Sequence, residues 1–189
     1  MDHLIGAYGL FWRRDEVKWD QRGWQLLGYR GTNLPGLRVC DFRAARGIYV
    51  LFNDHGAHYV GLADSNEGGI GARLHRHVDD EAKKWDRFCW FAFDDVEDYE
   101  PGAKGWSQVK RRDTPAQVSS RDTVRELEAL LIQILGTHQF GKNQRSMKFL
   151  NGDPWKQFTY QSAYGEGLLR KIDSTPFNSS SWWSEPNDV

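Results

Sequence analysis

The chain begins with two strand-like stretches, AYGLFWRR (7–14) and GWQLLGYRG (23–31), and the polar DEVKWDQ (15–21) between them suits one helical turn. GTNLPGL (31–37) carries the Gly, Asn and Pro of a loop, and RVCDF (38–42) fits a further short strand. From Gly47 the pattern sharpens. GIYVLF (47–52) is β-branched and aromatic, NDHGA (53–57) has turn chemistry and HYVGLA (58–63) returns as a second arm, so the spacing predicts a hairpin. DSNEGGIG (64–71) breaks the chain and offers Asp64 or Ser65 as a helix cap. A helix is then predicted over 70–85, with Ile70, Leu74 and Val78 in one row. RFCWFAF (87–93) reads as a third strand, followed by an acidic loop at 94–100 and a basic loop in KGWSQVKRRDTP (104–115). SRDTVRELEALLIQIL (120–135) is a strong helix. Beyond it the sequence loosens, with a short helix predicted in GEGLLRKI (165–172) and a tail that carries Trp182 and Trp183.

Two helical faces hold candidate chemistry. On the 120–135 helix, Val124, Leu127, Leu131 and Leu135 share a stripe that is expected to face the core, and Glu128 falls inside it. Glu126 projects from the opposite, polar side. A carboxylate on an apolar face is costly unless paired, protonated or metal-bound, so either an ion pair at the stripe's margin or a functional site explains Glu128. On the earlier helix, Arg73 and His77 are four apart and share a face, whereas His75 and His77 point apart and make a poor chelating pair.

These pieces in this order resemble the GIY-YIG nuclease family. They are GIY (Gly47, Ile48, Tyr49), YVG (Tyr59, Val60, Gly61), an Arg-bearing helix, a Glu-bearing helix and an Asn, spread over Gly47 to Asn143. The resemblance implies an α+β fold with a small three-stranded antiparallel sheet flanked by helices, here with extra N-terminal strands. It divides the chain into an N-terminal extension packed on the core (1–45), a nuclease-like domain (46–151) and a C-terminal extension with a tail (152–189). It implies an endonuclease that hydrolyses phosphodiester bonds in nucleic acid, DNA ahead of RNA, with Mg2+ or Mn2+. By the same resemblance Tyr49 and Tyr59 face the scissile phosphate and Arg73 contacts its oxygens. His77 assists proton transfer, Glu128 holds the metal, and Asn143 fastens the site, with Asn151 as a fallback. Arg73 follows Tyr59 by fourteen positions, longer than the family's commonest spacing, and Leu62 stands where many members have a lysine. The alternatives are a catalytically silent module that binds nucleic acid or protein, and an active nuclease in restriction, defence or toxin biology.

Composition changes this picture little. The net charge is −1 and the pI about 6.6, so no global basic field announces a polyanion, yet basic residues gather at Arg43/Arg46, Arg73/Arg76, 104–112 and 142–148. Nine Trp, seven Tyr and ten Phe promise an aromatic core or stacking surfaces. Cys40 and Cys89 lie in strand-like segments and are expected to be buried thiols; two cysteines build neither a disulfide framework nor a zinc cage. No signal-like or long apolar stretch is present, so a soluble cytoplasmic protein without membrane contact is expected, with room for a protein partner on either extension. GGIGARL lacks the Gly-Lys-Ser/Thr ending of a phosphate-cradling loop.

Overall fold

The computed structural model describes residues 3–20, 22–64, 68–80, 84–99, 105–112, 118–136, 149–159, 167–168 and 171–172. Among these residues nine strands form one mixed sheet: β1 (Ala7–Arg13), β2 (Leu27–Arg30), β3 (Arg38–Asp41), β4 (Gly47–Asn53), β5 (Gly56–Ala63), β6 (Arg87–Ala92), β7 (Asp95–Asp98), β8 (Trp106–Lys110) and β9 (Asp153–Gln157). Their order is β5-β4-β6-β1-β9-β2-β3-β8-β7. The pairs β1/β9 and β3/β8 are parallel and the rest antiparallel. The helices are α1 (Gly69–Arg76) and α2 (Ser120–Leu135).

This corrects the expected architecture. The three anticipated strands exist as β4, β5 and β6, but they are one end of a sheet three times as wide, not a small sheet flanked by helices. The outer edge of β6 is not free, because Ala7, Tyr8 and Gly9 of β1 pair with Ala92, Phe91 and Trp90. Segments 1–45 and 152–189 supply β1 to β3 and β9 to that same sheet. The acidic and basic stretches expected as loops pair with each other as β7 and β8, where Lys110 reaches Glu97 at 2.7 Å.

The sheet rolls around indoles. Phe42, just past β3, and Trp90 of β6 have ring centroids 4.3 Å apart, although their strands are four steps apart in the sheet. In a flat sheet four steps span about 19 Å, so the intervening strands must curl. Trp12, Trp155 and Phe88 fill the concave side, with Trp12 donating from Nε1 to the Trp155 carbonyl at 3.2 Å. Two glycines permit this approach. A Cβ on Gly9 would sit 2.3 Å from the Trp90 ring nitrogen, and one on Gly28 would sit 2.9 Å from both Phe42 and Trp12.

The helices take opposite faces of the sheet. Ile70 and Leu74 of α1 pack with Tyr49 and Leu51 on the concave side. Ala129 and Leu130 of α2 pack on the other side with Val50, Phe52, Cys89 and Phe91. Strand alternation separates the two sets, since neighbouring residues of β4 point to opposite faces.

The orientation of α2 is the reverse of the one its apolar stripe predicts. Ser119 caps it, accepting from the Asp122 amide at 3.1 Å. Val124, Leu127, Leu131 and Leu135 are 45–65% exposed, and Glu128 is exposed among them. The residue turned inward is Glu126, 1% exposed. Its side-chain oxygens accept from the amides of Leu4 (2.7 Å), Ile5 (2.9 Å) and Leu150 (3.2 Å). One of those amides is buried and two are half-buried, and Glu126 supplies the acceptor they need to two chain segments at once. Glu126→Ala leaves three donors without that acceptor and is expected to cost about 3 kcal/mol. Glu128→Ala on the exposed side is expected to stay within about 0.5 kcal/mol. Urea unfolding of the two variants checks this, and equal destabilisation would refute the assignment.

Candidate active site

The hairpin β4/β5 places Tyr49 directly opposite Gly61. A Cβ at Gly61 would lie 2.2 Å from the Tyr49 hydroxyl, so that glycine clears the space in which the phenol lies. Gly47 has a similar reason, because its Cβ would lie 1.9 Å from the Phe91 carbonyl oxygen on β6. Both arms of the hairpin therefore need glycine for close packing. The tyrosines differ: Tyr49 is wholly buried, while Tyr59 is partly exposed with its ring 6.1 Å from that of Tyr49.

The Gly-rich entry to α1 fixes what faces this pair. Gly68 and Gly69 have φ of +81° and +76°, a conformation that side chains disfavour. A Cβ on Gly69 would meet the Arg43 carbonyl oxygen at 2.7 Å. The amides of Ile70 and Gly71 donate to the carbonyls of Ala45 and Arg43, both at 2.8 Å. These first-turn amides are thus committed to the loop before β4 and do not form an anion cradle. The helix is shorter than its predicted span and ends at Arg76, with His77 as C-cap. Trp85 Nε1 donates to the His77 carbonyl at 2.9 Å, and Arg14 donates to the Val78 carbonyl at 2.6 Å. These contacts hold the helix end where the His77 ring meets Tyr49.

The Tyr49 hydroxyl lies 2.7 Å from His77 Nε2, and the Tyr59 ring centroid lies 5.0 Å from that of the imidazole. Arg73 also donates to the Tyr49 oxygen, and the Tyr59 hydroxyl is hydrogen-bonded to it. Burial, reinforced by the Tyr59 phenol and opposed by the Arg73 hydrogen bond, pushes Tyr49 up to about 12. At neutral pH Tyr49 therefore keeps its proton. Four residues expected in the site thus come together: Tyr49, Tyr59, Arg73 and His77. Tyr49 is sealed behind the other groups, so Tyr59 and Arg73 are the members with access to solvent.

Glu128 is not brought to them. It is exposed on α2, on the far side of the sheet from Tyr49. Among the described residues no three His, Cys, Asp or Glu side chains gather closely enough to hold a metal ion. The arrangement of the described residues therefore does not fit an Mg2+ or Mn2+ held by Glu128 at this site. Asn143 lies outside the described residues, and Asn151 is exposed in the turn before β9. His75 serves packing, stacked on Trp24 at 5.3 Å. Sequence reasoning missed Asp80, whose carboxylate lies 4.0 Å from His77 Nδ1. Its signal was only its place three residues after His77.

No protein-family model matches the sequence, and neither a curated protein nor a solved structure matches it. None of the described helices is long and apolar enough to cross a membrane.

The raised Tyr49 value has a sign for stability. The unfolded phenol ionises near 10 and the folded one near 12, so stability from Tyr49 is complete below about pH 10 and is lost as pH rises toward 12. Removing the phenolic oxygen removes this titration. Tyr49→Phe is expected to flatten the alkaline fall in stability over that window, and one fewer late-ionising tyrosine should appear in ultraviolet titration. An unchanged titration curve would contradict the burial argument.

Proposed function

We propose that the chain is a nucleic-acid phosphodiesterase, an endonuclease acting on DNA ahead of RNA, with Tyr59 and Arg73 at the phosphate and Tyr49 and His77 behind them. The observation that carries this reading is the 2.7 Å contact of Tyr49 with His77 beside Arg73, a proton path next to a guanidinium. Arg73 donates to phosphate oxygens as charge builds in the transition state. Water forms the new bond to phosphorus, the bond from phosphorus to the leaving sugar oxygen breaks, and that oxygen takes a proton from solvent. The attacking water gives its proton to the Tyr59 oxygen as the Tyr59 proton passes to Tyr49 and the Tyr49 proton to His77 Nε2. Each hydroxyl in the path loses one proton and gains one, so no free phenolate forms at a group whose ionisation is pushed so high.

One observation favours a second reading, a binding module without catalysis. The carboxylate that would complete the expected metal site, Glu128, is on the opposite face. A single set of assays separates the two. Supercoiled plasmid, single-stranded circles and structured RNA are incubated with the full chain in Mg2+, in Mn2+ and in EDTA. Cleavage is expected, with turnover reduced about 100-fold in Arg73→Ala and little change in affinity. Tyr59→Phe is expected to lower turnover likewise, and Glu128→Ala to cleave as the parent does. Salt-sensitive binding without cleavage under every condition would establish the binding module instead.

A further inference from the structure

The two ring nitrogens of His77 meet different groups. Nε2 faces the Tyr49 hydroxyl at 2.7 Å, and Nδ1 faces Oδ2 of Asp80 at 4.0 Å. The histidine side chain is 9% exposed and that of Asp80 34%, so the carboxylate is the more solvent-exposed of the two.

Hydrogen-bond polarity orders this chain of groups. A guanidinium only donates, so the Tyr49 oxygen accepts from Arg73. Tyr49 has one proton to give and two neighbours that can take it, the Tyr59 oxygen and Nε2 of His77, and the tautomer of His77 decides between them. An imidazole that accepts at Nε2 carries its proton on Nδ1, and that N–H needs an acceptor. The carboxylate facing it is that of Asp80.

We propose that Asp80 is a positioning residue for the Tyr49–His77 pair, holding the proton of the imidazole on Nδ1 so that Nε2 stays open to the Tyr49 hydroxyl. The separation of 4.0 Å is an ion-pair distance longer than a hydrogen bond. At that distance the carboxylate acts on the Nδ1 proton through its charge. Its consequence for turnover rests on the nuclease reading above; the tautomer itself does not.

The groups around His77 set the direction of its titration. Tyr49 from β4 and Tyr59 from β5 are neutral phenols, Arg73 lies on its own helix, and Arg14 reaches the same helix end through the Val78 carbonyl. Among the described residues Asp80 is the carboxylate that faces the ring against these two cations. Removing its charge leaves the imidazolium beside Arg73 and Arg14, so the ring gives up its proton at lower pH. In the neutral ring the proton is then free to occupy Nε2, where it would donate to the Tyr49 oxygen and turn the Tyr49 proton away from His77.

The test is a pH series of long-range proton–nitrogen spectra on the full chain labelled with 15N-histidine, with His77→Gln to assign the signal among six histidines. The wild-type neutral ring is expected to carry its proton on Nδ1. In Asp80→Asn the midpoint should move to lower pH and the Nδ1-protonated share should fall; Asp80→Glu should restore both. In the nuclease assay Asp80→Asn is expected to lower kcat about tenfold with KM unchanged. Identical His77 spectra in wild type and Asp80→Asn would overturn the proposal. Absence of cleavage in every variant would fall on the nuclease reading alone, because the spectra are read without substrate.

Discussion

Everything in this molecule depends on how closely aromatic rings approach a glycine backbone. Among the described residues, nine strands in one sheet present two broad faces, while α1 and α2 span eight and sixteen residues. Curling buries part of that surface, because Trp12, Phe42, Trp90 and Trp155 then cover one another on the inside of the bend. The curl is possible only where a ring can lie against bare backbone, at Gly9 and Gly28. The same device recurs at the candidate site, where the Tyr49 phenol occupies the volume that a side chain at position 61 would fill. Packing and chemistry are therefore not rival explanations of the glycines in this hairpin. The packing is what delivers the hydroxyl to the imidazole.

Strand alternation then decides what can meet what. Tyr49 and Leu51 face α1, and Val50 and Phe52 face α2, so a group on α2 is separated from Tyr49 by the thickness of the sheet. Even a reversed α2, with its Leu-rich stripe inward, would bring Glu128 to the wrong face. The glutamate that α2 does bury has a different duty, holding the start of the chain and the Leu150 turn together through three amides. A buried carboxylate surrounded by donors is thereby explained by the backbone alone.

Much of the fold was legible where periodicity is regular. The β4/β5 hairpin, β6, the start of β1 and both ends of α2 follow from the hydrophobic periodicity of each stretch. The width of the sheet was not legible. β9 runs Asp153-Pro154-Trp155-Lys156-Gln157, with one buried residue and a proline in a strand paired on both sides, a composition that argues against a central strand. β7 and β8 are short and charged, and they look like loops until each is paired with the other. The facing of α2 failed for a related reason. The helix has a second apolar set, Ala129, Leu130 and Ile132, and periodicity cannot rank two stripes. What ranked them was a need for acceptors elsewhere in the chain, at Leu4, Ile5 and Leu150, which no local pattern carries. In the site, the spacing of Arg73 and His77 put the two side chains on one face, and that face lies against the hairpin tyrosines, whereas Asp80 lies beyond the helix end, where helical spacing no longer predicts direction.

The direction proposed for proton movement follows from these placements. Tyr49 sits where ionisation is strongly disfavoured, so a reading in which it waits as a phenolate conflicts with its own surroundings. A buried phenol that accepts from Arg73 and lies against His77 is suited to relay a proton, because relay leaves it neutral before and after. Exposure orders the remaining members, with Tyr59 and Arg73 toward solvent and the Tyr49–His77 pair behind. A ligand entering this site meets a phenol and a guanidinium first, and those are donors for an anion.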